Sequence, residues 1–181
     1  MGCLITDGVG ITCDALRRVG GVNKRAYLFN TEEKTDIVVD VSGYVTDINF
    51  VAYDGLYKFI SRKQAHSGGY AAQVQSPGGN RFFNHDVILK LFPEDPTEDA
   101  VLEALLVGNV GIILEDNNQQ FFLYGNQNGL DQLDGTQNSG QEQASDIAYS
   151  LTFQGQEPEI PKRILIVDYE TTKNYLDTLV V

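Results

Sequence analysis

The stretch Val110-Gly111-Ile112-Ile113-Leu114-Glu115-Asp116-Asn117-Asn118-Gln119-Gln120-Phe121-Phe122-Leu123-Tyr124 decides the fold. An apolar run at 110–114 meets an aromatic run at 121–124 across the polar reversal Asp116-Asn117-Asn118. Two such runs around a cluster of turn-forming residues specify a β-hairpin. The segment after it, Gly125-Asn126-Gln127-Asn128-Gly129-Leu130-Asp131, is rich in amides and poor in acid–base groups. The hairpin therefore reads as framework and surface rather than as a reaction centre.

Working outward, the same β signals recur on both sides. Lys24-Arg25-Ala26-Tyr27-Leu28-Phe29 reads as a strand, and residues 37–41 and 44–48 read as a β pair split by Ser42-Gly43. Residues 56–60 follow the Asp54-Gly55 turn as a further strand. Residues 81–83 and 86–92 have strand or mixed character, with His85-Asp86 equally able to open a helix. The alternation in 147–153 marks a half-buried strand, Pro158 and Pro161 break it, and 163–167 reads as a buried strand. Residues 171–181 read as a short helix or an extended arm.

One helix is specified over about residues 96–107. Asp95 is placed to cap it, Pro96 sits at its first position, and Glu98 completes a variant capping box. Val101, Leu102, Leu105 and Leu106 recur at helical spacing, and Gly108 stands at the C′ position.

Residues 61–80 differ in character. The run holds four glycines and one proline and few large aliphatics, with Arg62 and Lys63 at its base. A long, weakly buried loop or an extended hairpin fits it, and segments of this length are usually functional or disordered. Residues 125–145 read as a polar surface segment.

Composition narrows the function. A chain of 181 residues with 42% hydrophobic content suits one folded domain, 1–181. A formal net charge of −12 argues against a surface that grips nucleic acid, since phosphate binding needs clustered Lys and Arg. The N-terminus lacks the basic and apolar regions of a secretory signal, and no apolar run approaches a membrane span. Gly2 and Thr6 formally fit an acylation pattern. These features read as a protein made in the cytoplasm with no membrane partner. Cys3 and Cys13 match no zinc spacing, and read as two reduced thiols or as a bridge across a hairpin.

Catalytic and metal motifs do not assemble. His66 and His85 stand far apart and read as surface or boundary histidines. Ser139 lacks a nucleophile elbow, and Asp116-Asn117-Asn118 lacks the glycine and glutamate of a calcium loop. Glu115, Asp116, Asp131 and Asp134 read as a solvated acidic loop. The expectation is a protein that is not an enzyme, with no catalytic residues, no cofactor and no metal.

Some residues in their order carry a resemblance. They are Cys3-Leu4, Cys13, Gly20-Gly21-Val22 and the Lys24–Phe29 run, then the 114–131 stretch, then Ser139-Gly140, Ser145-Asp146, Tyr149, Leu151-Thr152-Phe153, Gly155, Glu157 and Pro161. In this order and spacing the chain resembles the tail-tube-like virion structural proteins of tailed bacteriophages and prophages of gut Bacteroidota, including crAss-like phages. The match is densest over 1–30 and 110–161.

The resemblance implies a mainly β (α+β) fold: a tail-tube-like β-barrel or sandwich with one flanking helix, an N-terminal arm, a long loop at about 61–80 and a C-terminal arm after about 161. It implies a homo-oligomeric ring, hexamer or dodecamer, in a virion tail tube or tail barrel. Genomic DNA would pass through the lumen without specific binding, beside neighbouring tail or connector proteins. Arg62, Lys63, Tyr70, Arg81 and Phe82 are then the candidate subunit-interface residues. A different reading is a small carbohydrate- or peptide-binding β-module, with Tyr124, Asn126 and Asn128 facing a ligand. A third is a hydrolase using Asp116 and Asp131.

Overall fold

The structure is a computed structural model describing residues 21–51, 54–62, 65–75, 79–92, 96–138 and 148–181. Among them the strands are β1 (Val22–Asn30), β2 (Lys34–Val39), β3 (Val45–Phe50), β4 (Tyr57–Ile60), β5 (Ser67–Gln75), β6 (Asn80–Leu91), β7 (Asn109–Asp116), β8 (Phe121–Tyr124), β9 (Leu130–Asn138), β10 (Ala148–Glu157) and β11 (Lys162–Ile164). The helices are α1 (Pro96–Val107) and α2 (Tyr169–Thr178). The protein is mainly β, with the first helix at the expected residues.

The hairpin expected at 110–124 is the centre of the molecule. β7 and β8 pair antiparallel with Glu115 opposite Phe121 and Ile112 opposite Tyr124. Asp116 closes the reversal: its Oδ1 accepts from the backbone N–H groups of Asn118 and Gln120, each at 2.8 Å. This is the side-chain-to-backbone bonding that favours Asp in turns. On its other side β7 pairs with β1, and β1 pairs with β4.

Both faces of this central layer are covered, and period 2 assigns each residue its side. Ala26 and Leu28 of β1 and Val110, Ile112 and Leu114 of β7 face Val87 and Leu89 of β6, Leu151 and Phe153 of β10, and Leu105 of α1. Tyr27, Phe29, Ile113, Phe121 and Leu123 face the other way, onto Val45 and Ile48 of β3, Ile164 of β11 and Leu176 of α2. That is why residues 110–115 are buried without a break instead of alternating with water-facing residues.

Among the described residues the strand path runs β2-β3-β11-β8-β7-β9-β10-β6-β5 and does not close on itself. The β6–β10 layer instead folds over the β1–β7–β8 layer, so of barrel and sandwich the chain adopts the sandwich-like form. β6 is continuous through His85, which excludes a helix start there.

Several local expectations need correction. Of the loop and the extended hairpin expected over 61–80, the described residues form the hairpin: Ser67–Gln75 is a nine-residue strand in register with β6. Small residues and glycines still pleat here because backbone pairing with β6 supplies the hydrogen bonds. The polar run at 125–145 contains β9, and Asn126 and Leu130 are buried.

The chain after 161 is not a free arm. β11 inserts between β8 and β3, and α2 lies on the core with Thr172 and Leu176 buried. The strand expected at 163–167 stops at Ile164, and Val167 is exposed. Helix α1 buries Leu105 and part of Leu102 but leaves Val101 and Leu106 exposed, so its apolar face is narrower than its spacing implied. Gly108 follows α1 at the C′ position without a positive φ. Cys3, Cys13 and the expected N-terminal arm lie outside the described residues, as does Asp95, the residue expected to cap α1.

Candidate functional site

Among the described residues β2 pairs only with β3, and β5 only with β6. The path thus ends in two open strands, each presenting a row of backbone N–H and C=O groups. Beside these edges stand exposed apolar side chains: Val38 and Val39 on β2, Val41 beyond it, and Tyr70 and Val74 on β5. Val74 is 66% exposed and Tyr70 52%, whereas the buried β7 leucine, Leu114, is 2% exposed. Soluble proteins normally blunt such edges with charge, proline or a covering element; β5 holds no charged residue or proline, and among the described residues no strand pairs with its outer side.

The five candidate interface residues are only partly brought together. Tyr70, Arg81 and Phe82 share the β5–β6 hairpin, with Tyr70 opposite His85 and Arg81 opposite Val74. By strand parity Tyr70 and Arg81 share one face and Phe82 lies on the other. Tyr70 packs edge-on against Phe83, ring centroids 6.0 Å apart. Arg62 sits at the opposite end of the hairpin, its guanidinium 4.5 Å from the Phe92 ring centroid. Lys63 lies outside the described residues. The set marks the two ends of one hairpin and does not form one patch.

The binding-module triad does not converge on a common ligand face. Asn126 accepts from Lys34 Nζ through its backbone carbonyl and, at 3.0 Å, through Oδ1. Asn128 donates through Nδ2 to the Gln156 carbonyl at 2.6 Å. Both belong to a closed loop that a buried carboxylate organises. Glu157 Oε1 accepts from the backbone N–H groups of Asn128 at 2.8 Å and of Gln127 and Gly129 at 3.1 Å each. Gly129 has a positive φ of 76°, and a Cβ there would strike Asn109 and Thr31, so the loop can close only on glycine.

His85 seals the same loop. Its Nδ1 accepts from the Gly125 N–H at 3.3 Å and its Nε2 bonds the Glu159 carbonyl at 2.9 Å. That pair of partners requires the neutral Nε2–H tautomer. Burial pushes the His85 pKa below its ordinary value, against the pull of the Glu159 carbonyl and the Glu157 charge. Burial likewise lowers the Lys34 pKa, opposed by Glu157 and Asp36. Neither histidine is a surface residue: His66 is 3% exposed and His85 1%. Sequence reading missed Glu157 because its partners are backbone amides some 30 residues away, but paired glycines at 125 and 129 are the trace such a loop leaves.

The acidic residues do not form a carboxylate pair. Glu115, expected in a solvated loop, is fully buried. It accepts from Arg25 at 2.9 Å, Asn23 at 2.6 Å and the Tyr169 hydroxyl at 2.7 Å, which ties β1, β7 and α2 together. Asp116 serves its own turn, and Asp131 accepts from Asn109 Nδ2 at 2.9 Å. Helix α2 is fixed at two further points. Asp177 bonds Tyr27 at 2.9 Å and Lys58 at 2.6 Å, and the Tyr175 hydroxyl meets Asp47 and accepts from the Ile48 N–H at 2.8 Å. Burial, helped by Asp47, pushes the Tyr175 pKa up to about 12.

Among the described residues no group of three or more His, Cys, Asp or Glu side chains could hold a metal ion, and no helix is long and apolar enough to cross a membrane. No family model matches the chain, and neither a curated protein nor a solved structure matches it.

Proposed function

We propose that the chain is a non-enzymatic structural subunit of a phage virion tail, one copy of a homo-oligomeric ring of the tail tube or tail barrel. The observation that supports assembly is the open strand path, with β2 and β5 unpaired on their outer sides among the described residues. An unpaired edge is a template for another strand. Two different edges on one subunit permit a head-to-tail contact, β5 of one copy beside β2 of the next. Such contacts close into a ring when the rotation between subunits allows it. The virion role rests on the ordered resemblance at 1–30 and 110–161. The net charge of −12 suits a conduit along which DNA moves without being held.

The test is mass by light scattering across a concentration series, with negative-stain images of the largest species. Rings of six or twelve copies are expected, alone or stacked. Val74→Lys and Val38→Lys should each return the protein to monomer with an unchanged far-ultraviolet spectrum. Rings that survive both substitutions would overturn the edge-to-edge contact, and a protein that stays monomeric alone and beside purified tail components would overturn the ring.

A further inference from the structure

Lys34 opens β2, and Asn126 stands 92 positions further on, in the loop that follows β8. The fold brings the two side chains together. Lys34 Nζ donates to the Asn126 backbone carbonyl and, at 3.0 Å, to its Oδ1. A C=O bond is about 1.2 Å long, so Nζ lies within about 4.2 Å of the amide carbon Cγ. Asn126 is only 9% exposed. Glu157 fixes the chain directly after it by accepting from the N–H groups of Gln127, Asn128 and Gly129. A primary amide is thus held still beside an amine and shielded from most of the solvent.

The pair differs from three other lysine contacts of the fold. Lys58, Lys162 and Lys173 each meet a carboxylate, at 2.6, 2.8 and 3.2 Å, and an opposite charge favours the ammonium form. Lys34 instead meets two uncharged oxygens of one asparagine. Burial acts against its charge, and the fields of Glu157 and Asp36 offset that burial only in part. A neutral lysine amine is a nucleophile, and desolvation is one of the ways a protein produces it.

We propose that Lys34 and Asn126 join covalently, the lysine amine displacing ammonia from the asparagine side chain to leave an isopeptide bond. The Nζ–Cγ bond forms and the Cγ–Nδ2 bond breaks. One Nζ proton moves to Nδ2 and departs in the ammonia, so the step needs no oxidant, reductant or co-reactant. It happens once in each chain and is not turnover. The bond staples β2, which among the described residues pairs only with β3, to the end of the central hairpin. A cross-link that closes so long a segment strongly restricts the unfolded chain. This inference does not rest on ring assembly and holds for the monomer.

The experiment is intact-mass spectrometry and tryptic peptide mapping of the full chain, before and after incubation at about pH 9, where more of the amine is neutral. The parent should lose one ammonia, about 17 Da, and give a branched peptide that joins residues 34 and 126 and is uncut after Lys34. Lys34→Arg keeps the charge but supplies no amine nucleophile, and should retain its full mass with an unchanged far-ultraviolet spectrum. Asn126→Ala should retain its full mass as well. A parent that stays folded through the incubation and keeps its full mass would overturn the proposal, and this readout needs no variant. An ammonia loss that persists in both variants, or that maps to Asn128-Gly129 without a branched peptide, would overturn it too.

Discussion

The central hairpin and the β5–β6 hairpin are built from the same kind of strand pairing and differ in almost everything else. β7 is covered on both faces, with Ile112 and Ile113 fully buried on opposite sides. β5 is exposed along every position whose side chain is described, and its large residues, Tyr70 and Val74, face solvent. β7 is held by packing on both faces, whereas β5 is held by its backbone ladder to β6. Stability therefore resides in the centre, and the edge is left available to a partner. The comparison also separates what a mutation should do in each place.

The largest difference is expected between Ile113→Ala and Val74→Ala. Truncating Ile113 removes methyl groups from a sealed core and should cost ~2–5 kcal/mol in urea unfolding. Truncating Val74 should change stability by less than ~0.5 kcal/mol. Similar costs at the two sites would mean that the edge is packed in the monomer.

Next comes Glu157→Ala, which strips the acceptor from three backbone N–H groups beside a buried turn. A loss of ~2–4 kcal/mol is expected, with faster hydrogen exchange confined to residues 125–129. Slow exchange at Asn128 in that variant would show that the loop closes without the carboxylate. Leu105→Ala should cost about 2 kcal/mol, because α1 buries this leucine but exposes its apolar neighbours Val101 and Leu106. A value near zero would detach α1 from the core.

The smallest effect is a pH dependence. The His85 pKa is lowered in the fold, so between that value and the ordinary ~6.5 the unfolded chain binds more protons. The contribution of His85 is complete above ~6.5 and declines as the pH falls through the folded value. Thermal unfolding measured from pH 7.5 to 5 should show a falling midpoint that flattens in His85→Gln. Parallel curves for the two proteins would place the acid sensitivity elsewhere.

The sequence was most readable where a local rule and the tertiary environment agreed. Asp116-Asn117-Asn118 marks a turn by its own side-chain bonding, and the turn is there. The 3.6 spacing and Pro96 placed α1 on its exact residues. It was least readable where composition and environment disagreed. Residues 67–75 have the glycines and small residues of a loop, but β6 pairs with all nine of them. Glu115 is charged and therefore reads as solvated, yet Arg25, Asn23 and Tyr169 converge on it from sites far along the chain.

Taken alone, the amino-acid order determined the β-rich class, the central hairpin, the first helix and the acidic balance, because each depends on neighbours within a few positions or on a sum over the chain. Tertiary structure decided which strands end the path, where the C-terminal helix docks, which carboxylates are buried and where Lys34 meets Asn126. Those outcomes depend on groups brought together across 30 to 150 positions, as in the Gln127–Glu157 and Tyr27–Asp177 bonds. No period or short motif encodes such a meeting, since it is the packing of two layers, not the chemistry of one segment, that sets the distance.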